Sequence, residues 1–244
     1  MDTPLDQYAV KAILALSLTI VCYYAYYFPA FSAKTARWFQ KSFSSDQAKV
    51  YLFLFQQTLG FLLLGVVPAL VFFSKHTLSV QKHHLWGISS VQWWHFALII
   101  LLIITSSFFS AKKHDVYSRL PKMRLSHWGP GQIAASVGGW VIYLLGYEFL
   151  FRGLLLFTSS AAFGLWPAII INIGLYSAFH LPNGAKETLA SIPFGFVLCL
   201  IALITGSFWP AFVLHLTLSA SAEMFSVWFN PSTRFKLYKG KGVK

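Results

Sequence analysis

The sequence predicts an all-α protein, a polytopic transmembrane helical bundle of about seven spans. Three observations carry that prediction. Of 244 residues, 57% are hydrophobic and only 11% are charged, where a soluble domain carries roughly 25% charged residues. That is too little polar material to clothe a body of this size in water, and a bilayer removes the need. Seven apolar segments follow one another with short polar connections, and at about 20 residues per span the length suits them. Finally, the basic residues gather in loops and in the tail on one side of those segments. The formal net charge of +12 is therefore the footprint of membrane topology, and a nucleic-acid partner is not implied.

The segments fall at about 8–28, 50–73, 91–109, 132–163, 166–180, 188–204 and 208–229. They form one transmembrane domain, 1–230, followed by a basic tail, 231–244. The chain opens MDTPLDQYAVK, with Asp2 and Asp6 where a secretory leader would be basic, so the first run reads as a retained span. Lys34, Arg37, Lys41 and Lys49 lie between the first two segments. Lys112, Lys113, Arg119, Lys122 and Arg124 lie between the third and fourth, and Lys186 after the fifth. Arg234, Lys236, Lys239, Lys241 and Lys244 fill the tail, while the other side has only Lys11, Lys75 and Lys82. The positive-inside rule then puts the N-terminus outside and the C-terminus in the cytoplasm, in a plasma (inner) membrane. Membrane lipids are the first expected partners, with the tail against anionic headgroups.

Trp38, Trp86, Trp93, Trp94, Trp128, Trp166 and Trp209 sit near segment ends, as interfacial belts do. Cys22 and Cys199 lie in apolar runs and read as small buried hydrophobes. His76, His83, His84, His114 and His127 fall in loops and read as solvated.

Ionisable groups inside spans are costly, at least about 2.5 kcal/mol each on insertion scales, and mark function by default. Glu148, Arg152, His180 and His215 are such groups, with Glu223 nearer the end of the last segment. Glu148 and Arg152 are four apart and share a helix face. Asn172, Tyr176 and His180 make a polar stripe on the fifth segment, and His215, Ser219 and Glu223 make another on the seventh. Glu223 reads as a polar group reaching the interface. One carboxylate and two imidazoles suffice to activate water and steady an oxyanion. Glu148, His180 and His215 could instead hold zinc with an open position, although no HExxH motif supports that choice. Counted from the segment ends, the three groups start at different depths: Glu148 near mid-membrane, His215 about 10 Å from the outer end by helical rise, His180 near the cytoplasmic end.

The stretch Tyr147-Glu148-Phe149-Leu150-Phe151-Arg152-Gly153 resembles the EExxxR motif of the CPBP intramembrane proteases, which include the type II CAAX prenyl endopeptidases. Tyr176 four residues before His180-Leu181-Pro182 is similar to the second motif of that family. The run Gly206-Ser207-Phe208-Trp209-Pro210-Ala211 leading to His215 is similar to the last, a helix bearing HxxxN. The resemblance covers about 146–219, within a CPBP-like core of about 132–225. It implies a glutamate-dependent intramembrane endopeptidase that acts on a membrane-associated peptide or protein tail without a cofactor. Glu148 would be the general base oriented by Arg152, His180 would position the water, and His215 with Ser219 would stabilise the oxyanion. Two positions depart from the pattern. Tyr147 stands where the family has the first glutamate, usually the water-activating one, and Ser219 stands for the asparagine. A second implication is thus a non-catalytic member of the fold that binds or regulates a partner. Polar stripes in a bundle also suit a transporter, but no paired interrupted spans in two halves support that reading.

Overall fold

The computed structural model describes residues 7–73 and 93–235. The expectations for Lys75, His76, Lys82, His83, His84, Trp86, the side chain of Trp93 and the tail beyond 235 lie outside the described residues. Within them the chain is an all-α polytopic bundle. Helix α1 is Gln7–Phe31, α2 Ala33–Ser42, α3 Ser45–Phe73, α4 Trp93–Ala111 and the one-turn α5 His114–Tyr117. Next come α6 Pro130–Phe163, α7 Leu165–Phe179, α8 Ala185–Thr205 and α9 Trp209–Phe229. A two-residue parallel pairing joins His127–Trp128 to Arg234–Phe235.

Six of these helices, α1, α3, α4, α6, α8 and α9, are long and apolar enough to cross a membrane. Their outward faces suit lipid: Val21, Leu70, Leu102, Ile142, Leu189 and Trp228 are all exposed. The fifth expected span differs. Helix α7 has 15 residues, about 22 Å by helical rise, which is short of a hydrocarbon core of about 30 Å. It ends at His180, where the Leu181–Asn183 turn and Gly184, at φ +98°, redirect the chain into α8.

The central helix is α6. Its most apolar window is 67% buried, against 33% or less in the other five. It starts at Pro130, whose missing N–H costs nothing in a first turn, and Gln132 Oε1 reaches back to the Gly129 N–H at 3.0 Å. Around it pack α1, α3, α7 and α9, while α8 lies between α7 and α9, and α4 lies outside α9. Two stretches widen to π geometry, Leu62–Val66 in α3 and Phe149–Leu155 in α6. The first lets backbones meet, since a Cβ on Gly65 would lie 2.8 Å from Gly146 Cα.

The basic connection after α1 is itself helical. Ser32 caps α2 by accepting the Thr35 N–H at 3.0 Å. Its face bearing Lys34, Arg37, Trp38 and Lys41 is exposed, while Phe39 is buried. Trp38, Trp94 and Trp166 are exposed as a belt requires, but Trp128 is fully buried, its indole N–H bonded to Leu125 O at 3.2 Å. It clusters with Met123 and Leu125 of its own loop, Phe53 of α3 and Val227 of α9. Cys22 and Cys199 are both buried free thiols.

Candidate active site

The π turn of α6 begins directly after Glu148 and carries Arg152, and both side chains are fully buried. Arg152 Nη1 lies 3.2 Å from each Glu148 oxygen. A charge sealed from water is tolerable only when so paired. Arg152 is further steadied by its guanidinium lying 4.3 Å over the Tyr176 ring and by a long contact of 3.5 Å from Nη2 to Gly195 O. Glycine at 195 is what lets α8 come this close, because a Cβ there would meet Tyr176 Cδ1 at 2.8 Å.

His215, from α9, brings Nδ1 to within 2.5 Å of Glu148 Oε1. His180, one residue beyond α7, sets Nδ1 at 2.8 Å from Tyr176 O. A carbonyl only accepts, so His180 Nδ1 carries the proton and Nε2 keeps its lone pair. The Glu148 carboxylate beside the guanidinium likewise accepts from His215 Nδ1–H, leaving His215 Nε2 as the available nitrogen. The two imidazoles therefore present acceptors on their free edges.

Those edges belong to a cavity of about 280 Å³ whose wall includes Tyr147, Tyr176, His180, His215, Ser219 and Glu223. The groups that sequence position set at different depths are thus gathered in one place. Helix α7 does this: its middle is tied to the α6 π turn by Asn172 Nδ2, which donates to Phe151 O at 2.7 Å, and its C-terminal end carries Tyr176 and His180 onto the cavity wall. Glu148 and Arg152 are not on the cavity wall. They lie behind His215 and Tyr176.

Tyr147 is 2% exposed. Its ring stacks on Phe151 at 4.6 Å and meets the His215 ring edge-on at 5.9 Å. Its hydroxyl has no hydrogen-bond partner among the described residues, a loss of roughly 1–3 kcal/mol for a buried donor.

Glu223 is 1% exposed on the same wall, so it does not reach the interface. Its two oxygens accept the Lys122 backbone N–H at 2.9 and 3.2 Å. That draws Leu120 and Lys122 of the loop after α5 onto the cavity. Burial was hidden in the sequence because the partner is a backbone group 101 residues away. Glu187 also lines the cavity and accepts from Asn183 Nδ2 at 2.7 Å. Neither Glu187 nor Gly195 stood out in the sequence; a glycine just after Pro193 inside an apolar span was the available signal. At the exposed edge of the loop, Lys186 lies 2.9 Å from Asp115 and holds its carboxyl below the usual range. Among the described residues no group of three or more His, Cys, Asp or Glu side chains is placed to hold a metal ion.

Fold and site together define a multi-pass helical membrane protein with a buried Arg–Glu–His relay opening on one cavity. Residues 129–221 match the family model described as Rce1-like, type II CAAX prenyl endopeptidase. The matched stretch runs from the start of α6 to the His215 face of α9 and takes in every residue of the relay. No curated protein and no solved structure gives a significant match.

Proposed function

We propose that this chain is an intramembrane endopeptidase that hydrolyses a peptide bond in a membrane-associated peptide or protein tail. The observation that carries the reading is the 2.5 Å contact of Glu148 with His215 at the edge of the cavity. A carboxylate behind an imidazole fixes its orientation and balances the charge the ring gains on taking a proton. In this reading Glu148 is a positioning residue that acts through His215, in place of the direct water-activating role its motif implies. Water sits between His215 Nε2 and His180 Nε2, both acceptors. Its oxygen forms a bond to the scissile carbonyl carbon as one proton passes to His215 and the carbonyl π pair moves onto oxygen. The tetrahedral intermediate collapses when His215 returns that proton to the amide nitrogen and the C–N bond breaks. Ser219, one turn after His215 on the same wall, offers the oxyanion a hydroxyl. Each of these steps uses groups of the chain itself.

A second reading has its own observation. Tyr147 occupies the place of a carboxylate, and a phenol of ordinary pKa near 10 is a poor base at neutral pH. That favours a non-catalytic member of the fold that binds the same peptides. Membrane and secreted peptides from native-host cells distinguish the two. The strains compared carry the chain, lack it, or carry His215→Ala or Glu148→Gln at matched expression. The endopeptidase reading expects a peptide end that vanishes without the chain and in both variants. With the purified enzyme, Glu148→Gln should lower kcat by about 100-fold with little change in KM. A peptide end that depends on the chain but survives His215→Ala overturns the reading and leaves the binding protein.

A further inference from the structure

Hydrolysis at this cavity needs two kinds of group, acceptors for the protons of water and a donor for the oxygen that becomes negative. The hydrogen-bond pattern fills the first requirement twice. His180 Nδ1 is committed to Tyr176 O and His215 Nδ1 to Glu148, so both rings turn acceptor nitrogens toward the cavity. Of the hydroxyls on the wall, Ser191 is already engaged, donating to Thr188 O at 2.6 Å. Tyr147 is not: it lines the cavity, is 2% exposed, and its hydroxyl has no partner among the described residues.

From this we infer that Tyr147 is a catalytic residue of the proposed reaction, its hydroxyl joining that of Ser219 in donating a hydrogen bond to the scissile carbonyl oxygen and holding it as negative charge develops. The inference rests on the endopeptidase reading and deepens it. A buried polar atom without a partner calls for an explanation, and a ligand that arrives during turnover is one. The ring contacts alone do not supply one, because stacking on Phe151 and edge contact with Tyr176 and His215 would be made equally by phenylalanine. The position also changes sign relative to the motif it resembles. Where a glutamate would accept a proton, a phenol donates a hydrogen bond. The site keeps its acid–base balance only because the acceptor role has passed to the imidazoles. The substrate is thus bound with its carbonyl oxygen toward α6 and its scissile carbon toward the two histidines.

Tyr147→Phe isolates the hydroxyl, since it keeps the ring and leaves no group of the protein newly unpaired. The assay follows the peptide whose cleavage depends on His215, using the full chain in liposomes. The expected result is a fall in kcat of about 100-fold or more, the loss that follows removal of one oxyanion donor. KM should stay within about threefold, and the melting temperature should be unchanged or raised. Wild-type kcat in Tyr147→Phe, with His215→Ala inactive, overturns this inference and leaves the endopeptidase reading standing. If His215→Ala itself cleaves as wild type does, the reading falls and this inference falls with it. A Tyr147→Phe variant that loses melting temperature in step with activity makes the hydroxyl structural and also overturns the proposal.

Discussion

The π segments of α3 and α6 touch each other, and their contents are opposite. In α3, Leu62–Val66 is wholly apolar and the Val67 N–H reaches back to Leu62 O. What that widening supplies is proximity, with Gly65 set against the Gly146 backbone. In α6 the Leu156 N–H reaches back to Phe151 O in the same way, but the turn follows Glu148 and contains Arg152. It also presents Phe151 O to a second donor, Asn172. Insertions of this type often accompany functional sites. The two turns differ in content and not in geometry: the candidate site lies where a π turn carries a sealed charge pair and a neighbouring helix end meets it.

The sharpest way to break that comparison is Arg152→Met. It strands Glu148 as an uncompensated buried charge, and such losses run to roughly 3–5 kcal/mol. Thermal unfolding in detergent should show a large fall, and adding Glu148→Gln should restore most of it, because an apolar and neutral pair removes the stranded charge. A single variant as stable as wild type would mean that water reaches Glu148 and the pair is not sealed. The matching change in α3 should cost less. Gly65→Ala drives a methyl against backbone that cannot swing away, a packing conflict of roughly 1–3 kcal/mol. Gly138→Ala on the same α6 helix is its control, since a Cβ there meets nothing within 4 Å; helix propensity predicts a gain of up to about 1 kcal/mol. If Gly65→Ala proves as harmless as Gly138→Ala, the close approach of α3 to α6 is wrong.

How much of this could be read from sequence differs between the two regions for a physical reason. Glu148, Arg152, His180 and His215 were visible because an ionisable group in an apolar run has no cheap explanation. The i,i+4 spacing of Glu148 and Arg152 also gave their contact directly. The partner of His215 did not follow from spacing, because its bond to Glu148 joins residues 67 apart. The π turns left no trace, since a span that is apolar on its lipid side as well as its core side has no polar face whose phase could slip. The extent of α7 was legible to within a residue, but its being short for a span was not, because an apolar segment shows its composition and not whether it crosses the bilayer. Trp128 and Glu223 were placed at interfaces by residue type, and both are buried: Trp128 bonds a carbonyl three residues back in its own loop, and Glu223 accepts from a backbone N–H 101 residues away, which composition cannot reveal.

The smallest expected effect concerns the link between α7 and the α6 turn. Asn172→Leu removes the donor to Phe151 O and the acceptor for the Cys199 thiol, which lies 3.2 Å away. Buried polar contacts between membrane helices are worth about 0.6 kcal/mol on average and rarely exceed about 1.7. Phe151 O also keeps its bond from the Leu156 N–H, so the loss in stability should be about 1 kcal/mol. Activity should fall further than that figure implies. Asn172 lies two turns before His180 on the same face of α7, and its bond to Phe151 O ties that helix to the α6 turn. A misplacement of about 1 Å in a reacting geometry can cost 100-fold. Cleavage assayed beside unfolding separates the possibilities: a kcat that tracks stability would make Asn172 a packing residue like those around Gly65. A kcat that falls by tenfold or more at nearly constant stability would show that the α6 turn sets the catalytic depth of its neighbour, which the α3 turn does not do.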